Sequence, residues 1–173
     1  IGVAYQARQL GAVFNALLGI FLSVFLFSFS ENILEIVGVA PLLMDYAKTY
    51  LKIVGGFCFL NALIPIFSSY LRAFGYAKQP LIATLLANIV NLLLNVVFLF
   101  VFHTGVAGVA IATVISRVLN LIIVIVISTF LIRAKEDKQR LKNRTVFAQI
   151  IKVGFPSALE TALYNIAMTL TIR

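Results

Sequence analysis

The sequence predicts an all-α bundle of membrane-spanning helices, and three observations carry that expectation. The chain is 62% hydrophobic with only 12% charged residues, against about 25% charged in ordinary soluble domains. Its mean hydropathy is +1.06. The apolar residues also come in runs of spanning length separated by short polar links.

The first run, Ala12 to Phe29, is about 27 Å long as a helix, close to the ~30 Å hydrocarbon thickness. Arg8 precedes it, and Glu31 and Glu35 follow. Residues 33–40 are too few to span, and Pro41 is expected to end them as an interfacial segment or a turn. Residues 45–52 are amphipathic, with Asp45, Lys48 and Lys52 among Tyr46, Tyr50 and Leu51, and the apolar part runs on from Ile53 to Leu71. Along it Asn61, Pro65, Ser68 and Arg72 share one face. Pro65 removes a backbone hydrogen bond in mid-helix, so a kink is expected there.

A short loop carrying Arg72 and Lys78 leads to the next apolar helix, Leu81 to Phe102. It bears Thr84, Asn88, Asn91 and Asn95, which at about 100° per residue fall within an arc of about 60°. A polar stripe on a membrane-length helix must face something other than lipid. Thr104, Gly105 and Gly108 mark a tight turn, and a further helix runs from Gly108 to Ile132. On it Thr113, Ser116, Arg117 and Asn120 form a second polar face about 100° wide. Arg117 lies deep enough that its charge costs at least ~2.5 kcal/mol unless it pairs or reaches water, so it is expected to point into the bundle.

Residues 133–144 form the one long polar connection, and the last apolar segment, from Ala148, holds Pro156 and Glu160. A carboxylate at that depth is a coupling candidate, as a partner for a cation or as a proton carrier. The net charge of +8 invites a nucleic-acid reading, but six of the fourteen Lys and Arg residues lie between Arg133 and Arg144, and the apolar runs carry almost none. Basic loops on the cytoplasmic side of a membrane explain that distribution, and no nucleic-acid partner is expected. The loops Arg72–Lys78 and Arg133–Arg144 are therefore placed in the cytoplasm and Glu31, Glu35 and Asp45 outside, with Lys48 and Lys52 running against the rule.

Cys58 is the single cysteine, so no intrachain disulfide can form, and the sequence shows no metal-ligand cluster. His103, the single histidine, reads as interfacial. There is no phosphate-binding Gly-rich loop, no Ser and His pairing with an acid and no HExxH, so no enzyme is expected. The chain opens on Ile-Gly-Val and closes on Thr-Ile-Arg, and both ends read as cuts within a longer membrane protein.

The polar faces have two readings. Converging Asn and Thr oxygens can replace part of a small cation's hydration shell or line a cavity for a polar substrate. They can equally be interhelical hydrogen bonds worth about 0.6 kcal/mol each.

The succession LRAFGYAKQP, then N-x-x-N-x-x-x-N, then G-x-x-G-x-A-x-A-T-V-I-S-R, then KVGFPSALE after a basic loop resembles the multidrug and toxic compound extrusion (MATE) transporters. In that family the order marks the end of the fourth helix, the fifth, the sixth and the start of the seventh. The resemblance implies part of a twelve-helix, two-lobe antiporter in the cell membrane. It would exchange organic, often cationic, molecules for Na⁺ or H⁺ by alternating access, with no other cofactor. Residues 1–132 would be helices three to six of the first lobe, 133–147 the cytoplasmic inter-lobe loop and 148–173 the first helix of the second lobe.

Family members with a cation site in the first lobe draw ligands from an Asp on the first helix, an Asn and an Asp on the fifth and a Thr on the sixth. Asn91 matches the Asn, Asn95 stands at the Asp position and Thr113 matches the Thr. The amide of Asn95 keeps an oxygen but loses the charge and cannot carry a proton. Asn61, Asn88, Arg117, Asn120 and Glu160 are the further cavity or coupling candidates. A flippase for lipid-linked oligosaccharides or polysaccharides, of the same superfamily, is the alternative, and Arg117 is the feature that leans towards it. Besides substrate, the expected partner is membrane lipid. The sequence sets no oligomeric state.

Overall fold

The computed structural model describes residues 2–132, all of whose regular elements are helical. Helix α1 is Gly2–Ser28, α2 Ser30–Val37, α3 Met44–Gly56, α4 Cys58–Ala73, α5 Lys78–Val96 and α6 Gly105–Leu131. Residues 12–133 form one compact unit, and the opening residues of α1 belong to another. In that opening stretch the Arg8 guanidinium lies 4.7 Å from the centre of the Tyr5 ring.

Among the described residues, three helices are long and apolar enough to cross a membrane: Ala4–Ser28, Lys78–Val101 and Gly105–Leu131. The bent pair Pro41–Gly56 and Cys58–Ala73 makes a fourth if it is one span. Counted as one span, that pair brings the total to the four spanning segments expected before residue 133. The fifth, with Glu160, and the basic loop before it lie outside the described residues.

One local expectation is corrected. Pro41 does not end the short segment after α1. Helix α2 stops at Gly38, whose φ of 81° takes up the left-handed conformation, with its N–H on Leu34 O and Glu35 O and the Val39 N–H on Leu34 O. Pro41 instead opens a 3-10 turn, Pro41–Leu43, that leads into α3.

Helix α4 runs uninterrupted through Pro65. The 44° bend falls between Gly56 and Cys58, at Phe57. Two consecutive glycines precede it, and glycine is the weakest ordinary helix former. Gly55 is also held by packing, because a Cβ there would meet Leu26 Cβ at 3.2 Å. Pro65→Ala should therefore leave the bend in place. A pair of spin labels on α3 and α4 in the full-length protein is expected to keep its distance distribution, and a shift of more than about 3 Å, well above the ≲ 1 Å backbone scatter of a rigid scaffold, would move the origin of the bend to Pro65.

Helix α1 packs on this bent pair. Gly19 lies so close to α4 that a Cβ would meet Phe59 Cα at 2.7 Å, and the Phe59 N–H donates to Ser23 Oγ at 3.3 Å. Helix α6 runs against α3, α4 and α5. Its contact faces are built of small residues, with Ala110, Ala112 and Ser128 fully buried, and Ala83 and Ala87 of α5 are buried too. Small side chains let helix backbones approach where apolar burial alone gives no drive, as between helices in lipid.

At its C-terminal end α5 widens into a π turn, Val97–Val101, closed by the Phe102 N–H on Val97 O at 3.1 Å. Thr104 caps it, its N–H and its hydroxyl both donating to Phe98 O at 3.0 and 2.9 Å. His103 takes a left-handed φ of 50° and Gly105 one of 60°, which reverses the chain within three residues. The expectation of a tight turn there holds.

Candidate functional site

The two polar faces read from the sequence meet each other across the α5 and α6 pair. Between them lies a cavity of about 170 Å³, lined by Ala87, Asn88, Asn91, Thr113, Ser116, Arg117 and Asn120. The helical repeat brings this about. Residues three and four apart lie on one face of each helix, and the small Ala87 leaves open the space that a larger side chain would fill.

Most of the polar lining is tied down within its own helix. Thr113 Oγ1 donates to Val109 O at 2.9 Å and Ser116 Oγ to Thr113 O at 2.9 Å. Asn95 Nδ2 donates to Asn91 Oδ1 at 3.2 Å. The link between helices is Asn120, whose Nδ2 donates to Thr84 Oγ1 at 3.4 Å. Three amide atoms in this group are buried with no hydrogen-bond partner: Asn91 Nδ2, Asn95 Oδ1 and Asn120 Oδ1. A buried amide atom without a partner costs about 1 to 3 kcal/mol.

The charge is one-sided. Arg117 lines the cavity, as its depth in the sequence led us to expect. Neither α5 nor α6 contains an Asp or Glu. The acids among the described residues are Glu31, Glu35 and Asp45, all outside these two helices. Glu31 forms a salt bridge with Lys48.

The other predicted residues fall elsewhere. Asn95 does not line the cavity and joins it through Asn91. Asn61 is exposed on α4 and lines neither this cavity nor a second one of about 460 Å³ between α4 and α5. Ile64, Pro65, Ser68, Arg72, Ala77, Pro80, Leu81 and Thr84 border that second cavity, and Arg72 Nη2 donates to Ser69 Oγ at 3.3 Å. Glu160 lies outside the described residues. Ala87 was not singled out from the sequence; its signal is an alanine one turn before Asn91 on a helix otherwise rich in Leu, Ile and Val.

Several membrane-length helices, two of them with a polar cavity between them, define the class: a multi-pass membrane protein. The MatE family model matches residues 2–97, more than half of the chain, and the chain belongs to the MATE family of transporters. It is 35% identical over 159 residues to "Uncharacterized transporter YisQ" of Bacillus subtilis, covering 88% of this chain and 35% of that protein. It is 30% identical over 128 residues to "Probable multidrug resistance protein NorM" of Thermotoga maritima, covering 69% and 27%. A solved MATE-family transporter of the MOP superfamily, in an inward-facing conformation, shares the fold with a TM-score of 0.73 at 20% identity over 92% of this chain and 40% of that one. The chain spans about a third of the length of the curated relatives it matches.

Proposed function

We propose that the full-length protein exports small organic molecules by alternating access between two helical lobes, driven by a Na⁺ or H⁺ gradient, and that the α5 and α6 cavity lies on the export path. The observation that carries this reading is the partly unsatisfied polar cavity between two membrane-length helices in a MATE-family chain. Residues 1–132 belong to the first lobe, 133–147 to the connection and 148–173 to the second lobe. The loops Arg72–Lys78 and Arg133–Arg144 face the cytoplasm. In support, the Glu31 bridge cancels the charge of Lys48, one of the two lysines that ran against that orientation.

The coupling ion needs an acid. A cation beside Thr113 would sit about one helical turn from Arg117, and at ~6 Å with an effective dielectric near 20 the repulsion is about 3 kcal/mol. Asn91, Asn95 and Thr113 offer neutral oxygens only, so a cation site that uses them must be completed by a carboxylate from outside this helix pair. Proton coupling needs such a group as well, because Asn95 cannot titrate. Glu160 is the chain's own candidate. The lipid-linked flippase is the second reading, favoured by the two arginines that border neighbouring cavities, Arg117 and Arg72.

Cells that express the full-length protein are expected to accumulate less of an exported dye, and collapse of the ion gradient should restore accumulation. Dye levels indifferent to expression would remove the efflux reading. Glu160→Gln should flatten the pH profile of export; a profile identical to wild type excludes Glu160.

A further inference from the structure

We infer that the hydrogen bond between Thr84 and Asn120 is a closed partition between the two cavities beside α5, and that these two side chains control what passes from the larger into the smaller. That this passage serves export rests on the transport function proposed above; the partition itself does not. Ala77, Pro80, Leu81 and Thr84 border the 460 Å³ cavity between α4 and α5, and Ala87, Asn88 and Asn91 border the 170 Å³ cavity between α5 and α6. At about 100° per residue these positions fall within an arc of about 120°, so one face of α5 floors both cavities. From Pro80 to Asn91 that face runs about 17 Å, more than half of a ~30 Å hydrocarbon layer. The larger cavity lies at the end of α5 next to the loop that follows Arg72, and the smaller lies deeper.

Thr84 lines the larger cavity and not the smaller, Asn120 the smaller and not the larger, and Asn120 Nδ2 donates to Thr84 Oγ1 at 3.4 Å. The bond therefore spans the boundary. Beside it α5 and α6 pack closely, with Ala83 and Leu121 both buried. Buried hydroxyls stand on either side, Ser68 in the larger cavity and Ser116 in the smaller, so both compartments favour water and small polar solutes over lipid. The closing bond is a weak one. Protein N–H···O bonds centre on about 2.9 to 3.0 Å, and a longer bond between two neutral groups adds little to the closed form. A rotamer change at Thr84, which is exposed, is enough to break it, and such changes take nanoseconds or less.

The test is thiol labelling of the full-length protein in membrane vesicles, with its native cysteines, Cys58 included, replaced by serine. The probe is sulfonatoethyl methanethiosulfonate, which does not cross the membrane, added on whichever side labels Lys78→Cys. Ser68→Cys reports on the larger cavity and Ser116→Cys on the smaller, each a near-isosteric change. With the bond intact, Ser68→Cys is expected to react and Ser116→Cys to lag. Thr84→Val keeps the shape and removes the hydroxyl, and it should speed Ser116→Cys about tenfold while leaving Ser68→Cys unchanged. Thr84→Ser keeps the hydroxyl and should keep the slow rate. Asn120→Ala breaks the same bond from α6, should match Thr84→Val, and keeps the test decisive if that variant does not fold. The inference is overturned if Ser116→Cys reacts at one rate with and without the bond, or if Ser68→Cys accelerates with it, which is loosening of the bundle rather than the opening of a partition. It is also overturned if Ser68→Cys does not react at all, since the rest of the protein then fills the larger cavity. Dye export is read separately. A bond-dependent rate in a protein that exports no dye keeps the partition and removes the efflux reading, whereas export with a bond-independent rate does the reverse.

Discussion

Replacing Gly19 by leucine in the full-length protein is expected to cost more than any other single change at a helix contact described above. Even a Cβ at this position would meet the Phe59 main chain at 2.7 Å, and a backbone atom cannot move aside as the end of a flexible side chain can. Helix α1 would have to shift off α4. That movement also breaks the bond from the Phe59 N–H to Ser23 Oγ. Overpacking of this kind costs about 3 kcal/mol or more when backbone must move, a large part of a typical net stability of 5 to 15 kcal/mol. Size-exclusion chromatography in detergent should show most of the variant lost from the monodisperse peak. Gly56→Ala is the control, since its Cβ would find Phe27 Cδ2 at an ordinary 3.9 Å, and it should stay within about 1 kcal/mol of wild type. A Gly19→Leu protein as monodisperse and heat-stable as the control would refute the close α1 and α4 crossing.

The largest functional effect is expected at Asn91. This side chain lines the cavity and also accepts the bond from Asn95, so Asn91→Ala removes one cavity group and leaves a second amide without a partner. Thr113→Ala should do less, because the Thr113 hydroxyl already gives its proton to Val109 O and offers the cavity only lone pairs. In proteoliposomes, the KM for export is expected to rise about tenfold for Asn91→Ala and about threefold for Thr113→Ala, in line with about 1.4 kcal/mol per factor of ten and one or two lost hydrogen bonds. Export constants equal to wild type in both variants would return Asn91 and Thr113 to structural roles.

What the sequence made legible follows from periodicity. Thr84, Asn88, Asn91 and Asn95 stand out against Leu, Ile and Val, as do Thr113, Ser116, Arg117 and Asn120, and a helical repeat of 3.6 residues puts each group on one face. Two polar faces on consecutive spanning helices have little choice but to meet, and the cavity is where they do. The bend was not legible in the same way. Proline draws attention because it removes a hydrogen bond within its own helix, whereas the break at Phe57 depends on Gly55 and Gly56 together with the α1 side chains Leu26 and Phe27 that pack on them. That pressure comes from a segment almost thirty residues earlier. The π turn at 97–101 was hidden for a related reason: Val-Phe-Leu-Phe-Val fits an α-helix equally well, and Thr104 tips the balance by taking up Phe98 O. Asn95 had the right company but the wrong reach, since its amide meets Asn91 rather than the cavity.

Helix α6 touches α3, α4 and α5, and its buried residues Ala110, Ala112, Val124 and Ser128 show no exposed surface at all. Such a helix has no slack. If a rotation of α6 opens or narrows the cavity beside Asn91, the same rotation drives side chains into α3 and α4 on the far side. The width of the cavity and the angle at Phe57 are then two readings of one movement, and a group that wedges α5 from α6 would be felt, mechanically, at the bend between α3 and α4.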